Sequence, residues 1–270
     1  MPVLTPSTPS AAPCPPPLIW VLLPAVVFAM LAGALFASER NTALFLAWNA
    51  AAQALPASLW AGITNFGATL GAFALIAPAL LWRPRWVASA LLAAPFAAVY
   101  AQGLKTLFAE PRPPAVLALD SFNVIGLPLH TDSFPSGHTV TAFVVAGVVT
   151  FCATTTQRRW LGAVALALAA LVAFSRVAVG AHWPLDLFAG AAGGWLCAAV
   201  GCAWAARWRF WTHARGVRTM AVLLLLVCVA LAIEDLGYPE GQWSQYLLAV
   251  WGALGTLLAL RHADRSPEPA

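Results

Sequence analysis

The stretch "AFSRVAVGAHWPLDLFAG", Ala173–Gly190, lies between two long apolar runs and carries three ionisable side chains: Arg176, His182 and Asp186. Ionisable groups at the edge of a lipid-facing segment are unfavourable unless they pair with one another or serve a function. The stretch therefore predicts the end of one membrane helix, a turn and the start of the next, with a polar cluster at the turn.

The composition of the whole chain indicates an integral membrane protein. Of its 270 residues, 61% are hydrophobic and 9% are charged, and the mean hydropathy is +0.80. A soluble domain carries about 25% charged residues. The net charge of +4 comes from basic residues spread over several short loops, so we expect no nucleic-acid binding.

The apolar runs have the length of membrane-spanning helices, which predicts an all-α polytopic bundle. We expect the first run to be retained as a helix, with cleavage as a signal peptide as the alternative. The segment 42–63 mixes polar and apolar residues, which leaves a spanning and an interfacial helix both open. Eight membrane helices are predicted near residues 18–37, 65–82, 86–108, 138–156, 160–178, 184–206, 218–234 and 245–260.

The distribution of Lys and Arg predicts the orientation, because short cytoplasmic loops are enriched in both. With a cytoplasmic N-terminus, ten of the 14 basic residues fall on the inner side. The other four, Arg40, Lys105, Arg112 and Arg176, fall on the outer side, together with most of the acidic residues. The outer side also carries the longest loop, from about Ala109 to Phe134.

Two further segments are predicted to meet the opening stretch on this outer side. "KTLFAEPRPP" places Lys105 and Arg112 at the outer end of the third helix. "FPSGHT" places Ser136 as an N-cap, Gly137 where the backbone can approach a ligand closely, and His138 in the first turn of an apolar helix. A helix N-terminus binds anions through its unpaired N–H groups and its dipole.

In the opening stretch, Pro184 suits the first turn of the sixth helix and would put His182 and Asp186 on one side. The carboxylate would then orient the imidazole, as in pairs of nucleophile and base. Taken singly, each segment has a purely structural explanation: an interfacial cation, an ordinary cap or a structural His–Asp pair. Together, three cations and amide donors suit a tetrahedral phosphate dianion, and no residue cluster suggests a metal site.

The pattern K-x6-R-P, P-S-G-H and S-R-x5-H-x3-D resembles the type 2 phosphatidic acid phosphatase (PAP2) superfamily, which also includes haloperoxidases. It is met by Lys105 to Pro113, Pro135 to His138 and Ser175 to Asp186. The resemblance implies a six-helix core at residues 18–206. The preceding tail at residues 1–17 is rich in Pro, Ser and Thr and has no Lys or Arg, which predicts disorder. Residues 207–270 would form an extension with two extra helices, to which the family assigns no role.

The resemblance also implies roles for the residues of the motif. His182 would be the nucleophile that forms a phosphohistidine, Asp186 would orient it, and His138 would protonate the leaving group. No metal and no cofactor would be required. The phosphoryl oxygens would be held by Lys105, Arg112, Ser136, Gly137 and Arg176.

The leading hypothesis is a hydrolase of lipid phosphates or pyrophosphates, with undecaprenyl pyrophosphate as the first candidate substrate. It would work at the periplasmic face of a bacterial inner membrane. Lipid A and phosphatidylglycerophosphate are alternative substrates, and transfer of the phosphate to another lipid is an alternative reaction. Two other classes are a vanadate-dependent haloperoxidase and a non-catalytic anion binder. In the long outer loop, Asn123, His130 and Asp132 are candidates for substrate specificity or, singly, solvated positions.

Overall fold

The computed structural model describes residues 16–265. The predicted disordered tail at residues 1–17 therefore lies almost wholly outside the described residues. Within the described range the chain contains helices and loops and no strand. The helices are α1 (Leu18–Ser38), α2 (Asn41–Ala52), α3 (Ala57–Asn65), α4 (Thr69–Ile76), α5 (Ala79–Trp82), α6 (Pro84–Phe108), α7 (Pro113–Val116), α8 (Gly137–Cys152), α9 (Thr155–Ala178), α10 (Pro184–Arg207), α11 (Ala214–Ile233) and α12 (Gln242–Arg265).

The predicted all-α polytopic fold is confirmed. Six stretches of the described chain are long and apolar enough to cross a membrane, and they contain α1, α6, α9, α10, α11 and α12. The bent pair α3–α4 counts as a seventh if it forms one span. The apolar helix α8 is shorter, with 16 residues. The two extra C-terminal helices are therefore present as α11 and α12.

The prediction of one continuous helix over residues 65–82 is wrong. The chain bends by 73° between α3 and α4, and it breaks again before α5. At the first break, a Cβ added to Gly67 would lie 3.0 Å from the Cβ of His138. Glycine thus lets the backbone pass close to the N-terminus of α8. At the second break, Pro78 lacks the N–H that would continue the helix.

The segment 42–63, which the sequence left open, forms α2 and most of α3. The 12 residues of α2 extend about 18 Å, which is less than the hydrocarbon thickness of about 30 Å. Its polar residue Asn49 is buried. The Asn49 amide donates to the carbonyl oxygens of Asn123 and Val177, both at 2.9 Å. This polar side chain therefore ties α2 to the outer loop and to the end of α9.

Helix α10 lies at the centre of the bundle and packs against α1, α6 and α8. Its small residues permit close helix packing. A Cβ on Gly190 would lie 2.9 Å from the carbonyl oxygen of Ser136. The backbone N–H of Ser136 in turn donates to the carbonyl oxygen of Asp186 at 3.2 Å. The N-termini of α8 and α10 are therefore held side by side.

Two loops meet at this end of the bundle. The α6–α8 loop (residues 109–136) follows the C-terminus of α6 and leads into α8. The α11–α12 loop (residues 234–241) joins the two C-terminal helices. The loops touch where the N–H of Leu127 donates to the carbonyl oxygen of Gly237 at 3.3 Å. The α11–α12 hairpin itself packs against α4, and α12 also contacts α5.

Candidate active site

A buried His–Asp pair lies at the junction of α9 and α10. Pro184 occupies the first turn of α10, which places His182 just before the helix and Asp186 within it. The Nδ1 atom of His182 lies 3.2 Å from Oδ2 of Asp186. The same carboxylate oxygen accepts hydrogen bonds from the Ser133 hydroxyl at 2.5 Å and from the Trp183 N–H at 3.0 Å. Three donors thus converge on one carboxylate oxygen.

The partners of His182 determine its tautomer. Nη1 of Arg112 lies 3.1 Å from Nε2 of the imidazole. A guanidinium only donates hydrogen bonds, so Nε2 must accept, and the ring proton must reside on Nδ1, facing Asp186. The Nε2 lone pair therefore points away from the carboxylate and toward a cation.

The surroundings of His182 also favour its neutral form. Burial first, and then the positive charges of Arg112 and Arg176, hold the pKa of His182 well below its usual value. Desolvation and nearby like charge both disfavour an imidazolium. At neutral pH the Nε2 atom is therefore unprotonated, which is the state that a nucleophile requires.

The guanidinium of Arg112 is held by backbone oxygens. Its Nε donates to the carbonyl of Thr131 at 2.6 Å, and Nη2 donates to the carbonyl of Asp132 at 3.2 Å. Nη1 also donates to the carbonyl of Ala181 at 3.0 Å. The Arg112 N–H itself donates to the carbonyl of His130 at 2.9 Å. The α6–α8 loop therefore wraps around Arg112 through its main chain.

The N-terminus of α8 lies beside this pair, as the hydrogen bond between the backbones of Ser136 and Asp186 requires. The Ser136 hydroxyl caps the helix by accepting from the Thr139 N–H at 3.4 Å. No atom would lie within 4 Å of a Cβ on Gly137, so the backbone there faces open space. His138 occupies the first turn and is partly exposed. This helix end presents N–H donors to whatever occupies that space.

The two remaining cations complete the cluster. Lys105 lies in the last turn of α6 and is half-buried. Arg176 is almost fully buried near the end of α9, and its Nη1 donates to the hydroxyls of Thr64 at 2.5 Å and Tyr238 at 2.8 Å. The charges of Lys105, Arg112 and Arg176 act on both His138 and His182. The structure thus brings the eight candidate site residues from the three segments of the motif together at one end of the bundle.

The sequence did not predict three residues that support the site: Ser133, Thr64 and Tyr238. They are ordinary polar residues with no spacing signature. Asn123, His130 and Asp132, the loop residues predicted to set specificity, contribute through their main chains. The side chains of His130 and Asp132 are exposed, while their carbonyl oxygens hold Arg112. The backbone N–H of Asn123 donates to Asn49 Oδ1 at 2.8 Å.

The donor groups around the site determine what it can hold. In the part of the chain that the structure describes, no group of three or more His, Cys, Asp or Glu side chains is arranged to hold a metal ion. The site instead combines three cations, a helix N-terminus and two histidines, which together suit an anion with several oxygens.

Comparisons of the sequence and the fold with known proteins identify relatives of this chain. The PAP2 superfamily model matches residues 83–212. A putative undecaprenyl-diphosphatase, YbjG, of Escherichia coli (strain K12) is 41% identical over 71 residues, which cover 26% of this chain and 32% of that protein. An undecaprenyl-diphosphatase of Sulfolobus acidocaldarius is 45% identical over 64 residues, covering 23% and 29%. The chain thus matches about a third of the length of these curated relatives.

Two crystal structures share the fold. LpxE of Aquifex aeolicus is 31% identical, with a TM-score of 0.52, over 60% of this chain and 93% of that one. A transmembrane PAP2-type phosphatidylglycerolphosphate phosphatase from Bacillus subtilis is 22% identical, with a TM-score of 0.53, over 70% and 97%. The match to nearly all of LpxE, the family model and the motif residues agree. This chain belongs to the PAP2 superfamily.

Proposed function

We propose that this protein is a membrane lipid phosphatase that needs no metal ion and removes phosphate from a lipid phosphate or pyrophosphate through a phosphohistidine. Undecaprenyl pyrophosphate is the first candidate substrate, since both curated relatives carry undecaprenyl-diphosphatase names. The observation that carries the proposal is the His182 Nε2 lone pair, which faces away from Asp186 and into a cluster of three cations.

An apolar cavity of about 340 Å³ supports a lipid substrate. It lies between α4, α6 and α8, and its polar end is formed by Lys105, Gly137 and His138. The wall contributed by α6 consists of small residues from Ala90 to Ala101, which span about 16 Å along the helix. A phosphate at the polar end would leave room for the attached apolar chain along this wall.

The chemistry follows from the positions of the two histidines. His182 Nε2 would attack phosphorus while the bond from phosphorus to the leaving oxygen breaks. That oxygen is the lipid oxygen of a monophosphate or the bridging oxygen of a pyrophosphate, and His138, as the imidazolium, would donate a proton to it. The Nδ1 proton of His182 stays hydrogen-bonded to Asp186, whose charge stabilises the phosphohistidine. Water would then attack phosphorus while the bond from phosphorus to Nε2 of His182 breaks, and one proton of the water would pass to His138. This step releases phosphate and restores both histidines. The cations would stabilise the charge on the phosphoryl oxygens in both steps.

The charge asymmetry of the bundle supports a periplasmic site. The end opposite the site carries the basic pairs Arg83 and Arg85, Arg158 and Arg159, and Arg207 and Arg209. Basic loops favour the cytoplasm. In intact cells, a membrane-impermeant maleimide should therefore label a His130→Cys variant but not an Arg159→Cys variant. The reverse labelling pattern would contradict this orientation.

Phosphate release by the purified protein in detergent, with EDTA present, tests the function. The panel is undecaprenyl pyrophosphate, phosphatidic acid, phosphatidylglycerophosphate and lipid A. We expect turnover of at least one lipid, its loss in His182→Ala and its retention in the control His213→Ala, which changes an exposed histidine at the opposite end. Activity that survives His182→Ala would refute the mechanism.

Further arms of the same experiment separate the alternatives. Consumption of the donor lipid that requires an added acceptor lipid, with the phosphate appearing on that acceptor, would indicate a phosphotransferase. Bromide oxidation that depends on added vanadate would indicate a haloperoxidase. A folded protein that turns over none of the lipids would overturn the proposal and favour an anion binder.

A further inference from the structure

The α11–α12 loop reaches Arg176 through one residue, Tyr238. The Tyr238 hydroxyl accepts a hydrogen bond from Nη1 of Arg176 at 2.8 Å. The guanidinium carbon also lies 5.4 Å from the centroid of the tyrosine ring, which is within the range of a cation–π contact. Tyr238 is only 6% exposed, so both contacts are shielded from water.

The partners of Arg176 leave one edge of its guanidinium available. Nη1 carries two protons, and its two acceptors are the hydroxyls of Thr64 and Tyr238. Nε is buried and has no hydrogen-bond partner among the described residues. A buried donor without a partner is unfavourable. Nε and Nη2 lie on the same edge of the planar group, which is the edge that binds two oxygens of a phosphate together.

Thr64 and Tyr238, the two acceptors, lie in segments that are hydrogen-bonded to each other. Next to Thr64, the Asn65 amide donates to the carbonyl of Gly241 at 2.9 Å and to the hydroxyl of Ser244 at 3.1 Å. These contacts fasten the end of α3 to the α11–α12 loop and to the start of α12. Thr64 and Tyr238 are therefore fixed relative to each other as well as to Arg176.

We propose that Tyr238 is a positioning residue that turns the free edge of Arg176 toward the substrate phosphate, with Thr64 as its partner. This inference rests on the proposed phosphatase function. Both residues lie outside the region 83–212 that matches the family. The α11–α12 hairpin thus has a specific role, because its Tyr238 hydroxyl accepts a hydrogen bond from an arginine that would bind the phosphate.

The test removes one hydroxyl at a time and nearly keeps the size of the side chain. Tyr238→Phe and Thr64→Val each remove one acceptor of Nη1 at nearly constant volume. We expect each to lower kcat/KM about tenfold, and to weaken the binding of inorganic phosphate by a similar factor, as for a hydrogen bond to a charged group. Tyr246→Phe is the matched control, since this tyrosine lies on α12 and is 51% exposed. Thermal unfolding in detergent checks that each variant is folded.

A double-mutant cycle separates positioning from general stability. If Tyr238 acts through Arg176, then Tyr238→Phe should have little further effect in an Arg176→Lys background. Equal losses in both backgrounds, or phosphate binding by Tyr238→Phe as tight as by Tyr246→Phe, would overturn the inference. The binding of inorganic phosphate to each variant is measured by calorimetry, which requires no turnover of a lipid substrate. A wild-type protein that binds phosphate and hydrolyses no lipid would therefore refute the function and still decide the role of Tyr238.

Discussion

The α6–α8 loop and the α11–α12 loop each hold one arginine of the site, but they do so with different atoms. Around Arg112, the α6–α8 loop supplies the carbonyl oxygens of His130, Thr131 and Asp132. Around Arg176, the α11–α12 loop supplies one side-chain hydroxyl, from Tyr238. The α6–α8 loop supplies one side chain as well, Ser133, which it directs at Asp186.

This difference shows which parts of the site depend on residue identity. A carbonyl oxygen is present whatever the side chain, so a loop that binds through its backbone can keep its function while its sequence changes. A hydroxyl is lost with a single substitution. We therefore expect the sensitivity of the site to follow the type of contact, not the length of the loop.

The largest effect should come from Asp186, whose carboxylate accepts a hydrogen bond from Ser133 of the α6–α8 loop. Asp186→Asn keeps the size of the side chain but removes the charge, and its amide group favours the wrong tautomer of His182. By analogy with the Ser-His-Asp triad, we expect kcat to fall on the order of 10³-fold or more. The measurement is steady-state phosphate release, with binding of inorganic phosphate as a check on the fold. A loss below tenfold would show that Asp186 does not orient the nucleophile.

An intermediate effect should follow from removing Ser133, the residue of the α6–α8 loop whose side chain donates to Asp186. Ser133→Ala deletes the 2.5 Å hydrogen bond to Asp186, and we expect kcat to fall about tenfold. The control is Ser121→Ala in the same loop, whose hydroxyl is exposed and donates to the nearby Ala118 carbonyl. Indistinguishable kcat values for the two variants would contradict the assignment.

A pH profile tests the contribution of Arg112. Protonation of His182 Nε2 removes the attacking lone pair, so activity is lost as the pH falls through the pKa of His182. Because burial and the charge of Arg112 lower that pKa, the acid limb of kcat/KM should lie below pH about 6.5. Arg112→Gln should move this limb to higher pH. An acid limb that stays at the same pH in this variant would show that the charge of Arg112 does not lower the pKa of His182.

The smallest effects should come from side chains whose backbone does the binding. His130→Ala and Asp132→Asn leave both carbonyl oxygens in place. Asp132 has a positive φ of 57°, a conformation that Asn also tolerates. We expect kcat/KM to stay within about twofold of wild type for both variants, as for other exposed substitutions. A tenfold loss in either would mean that the side chain itself contacts the substrate.

The sequence predicted the residues that we propose to react, but it did not predict the residues that hold them in the structure. Lys105, Arg112, His138, Arg176, His182 and Asp186 stand out because charges are rare in an apolar chain. Thr64, Ser133 and Tyr238 carry no such signal, since their role depends on contacts between distant segments. The helix break at Gly67 was missed for a related reason. The apolar pattern continues through it, and the need for a glycine there comes from its close approach to Val172 and His138.

Trapping the covalent intermediate is the decisive test of a phosphohistidine on His182. The protein is mixed with lipid phosphate labelled with ³²P, quenched within milliseconds in alkali, and digested for mass spectrometry. We expect label that is stable in alkali and labile in acid, attached to His182, and absent from the His182→Ala variant. Label on another residue, or phosphate release by a folded enzyme that never carries label in the quench, would contradict the phosphohistidine mechanism.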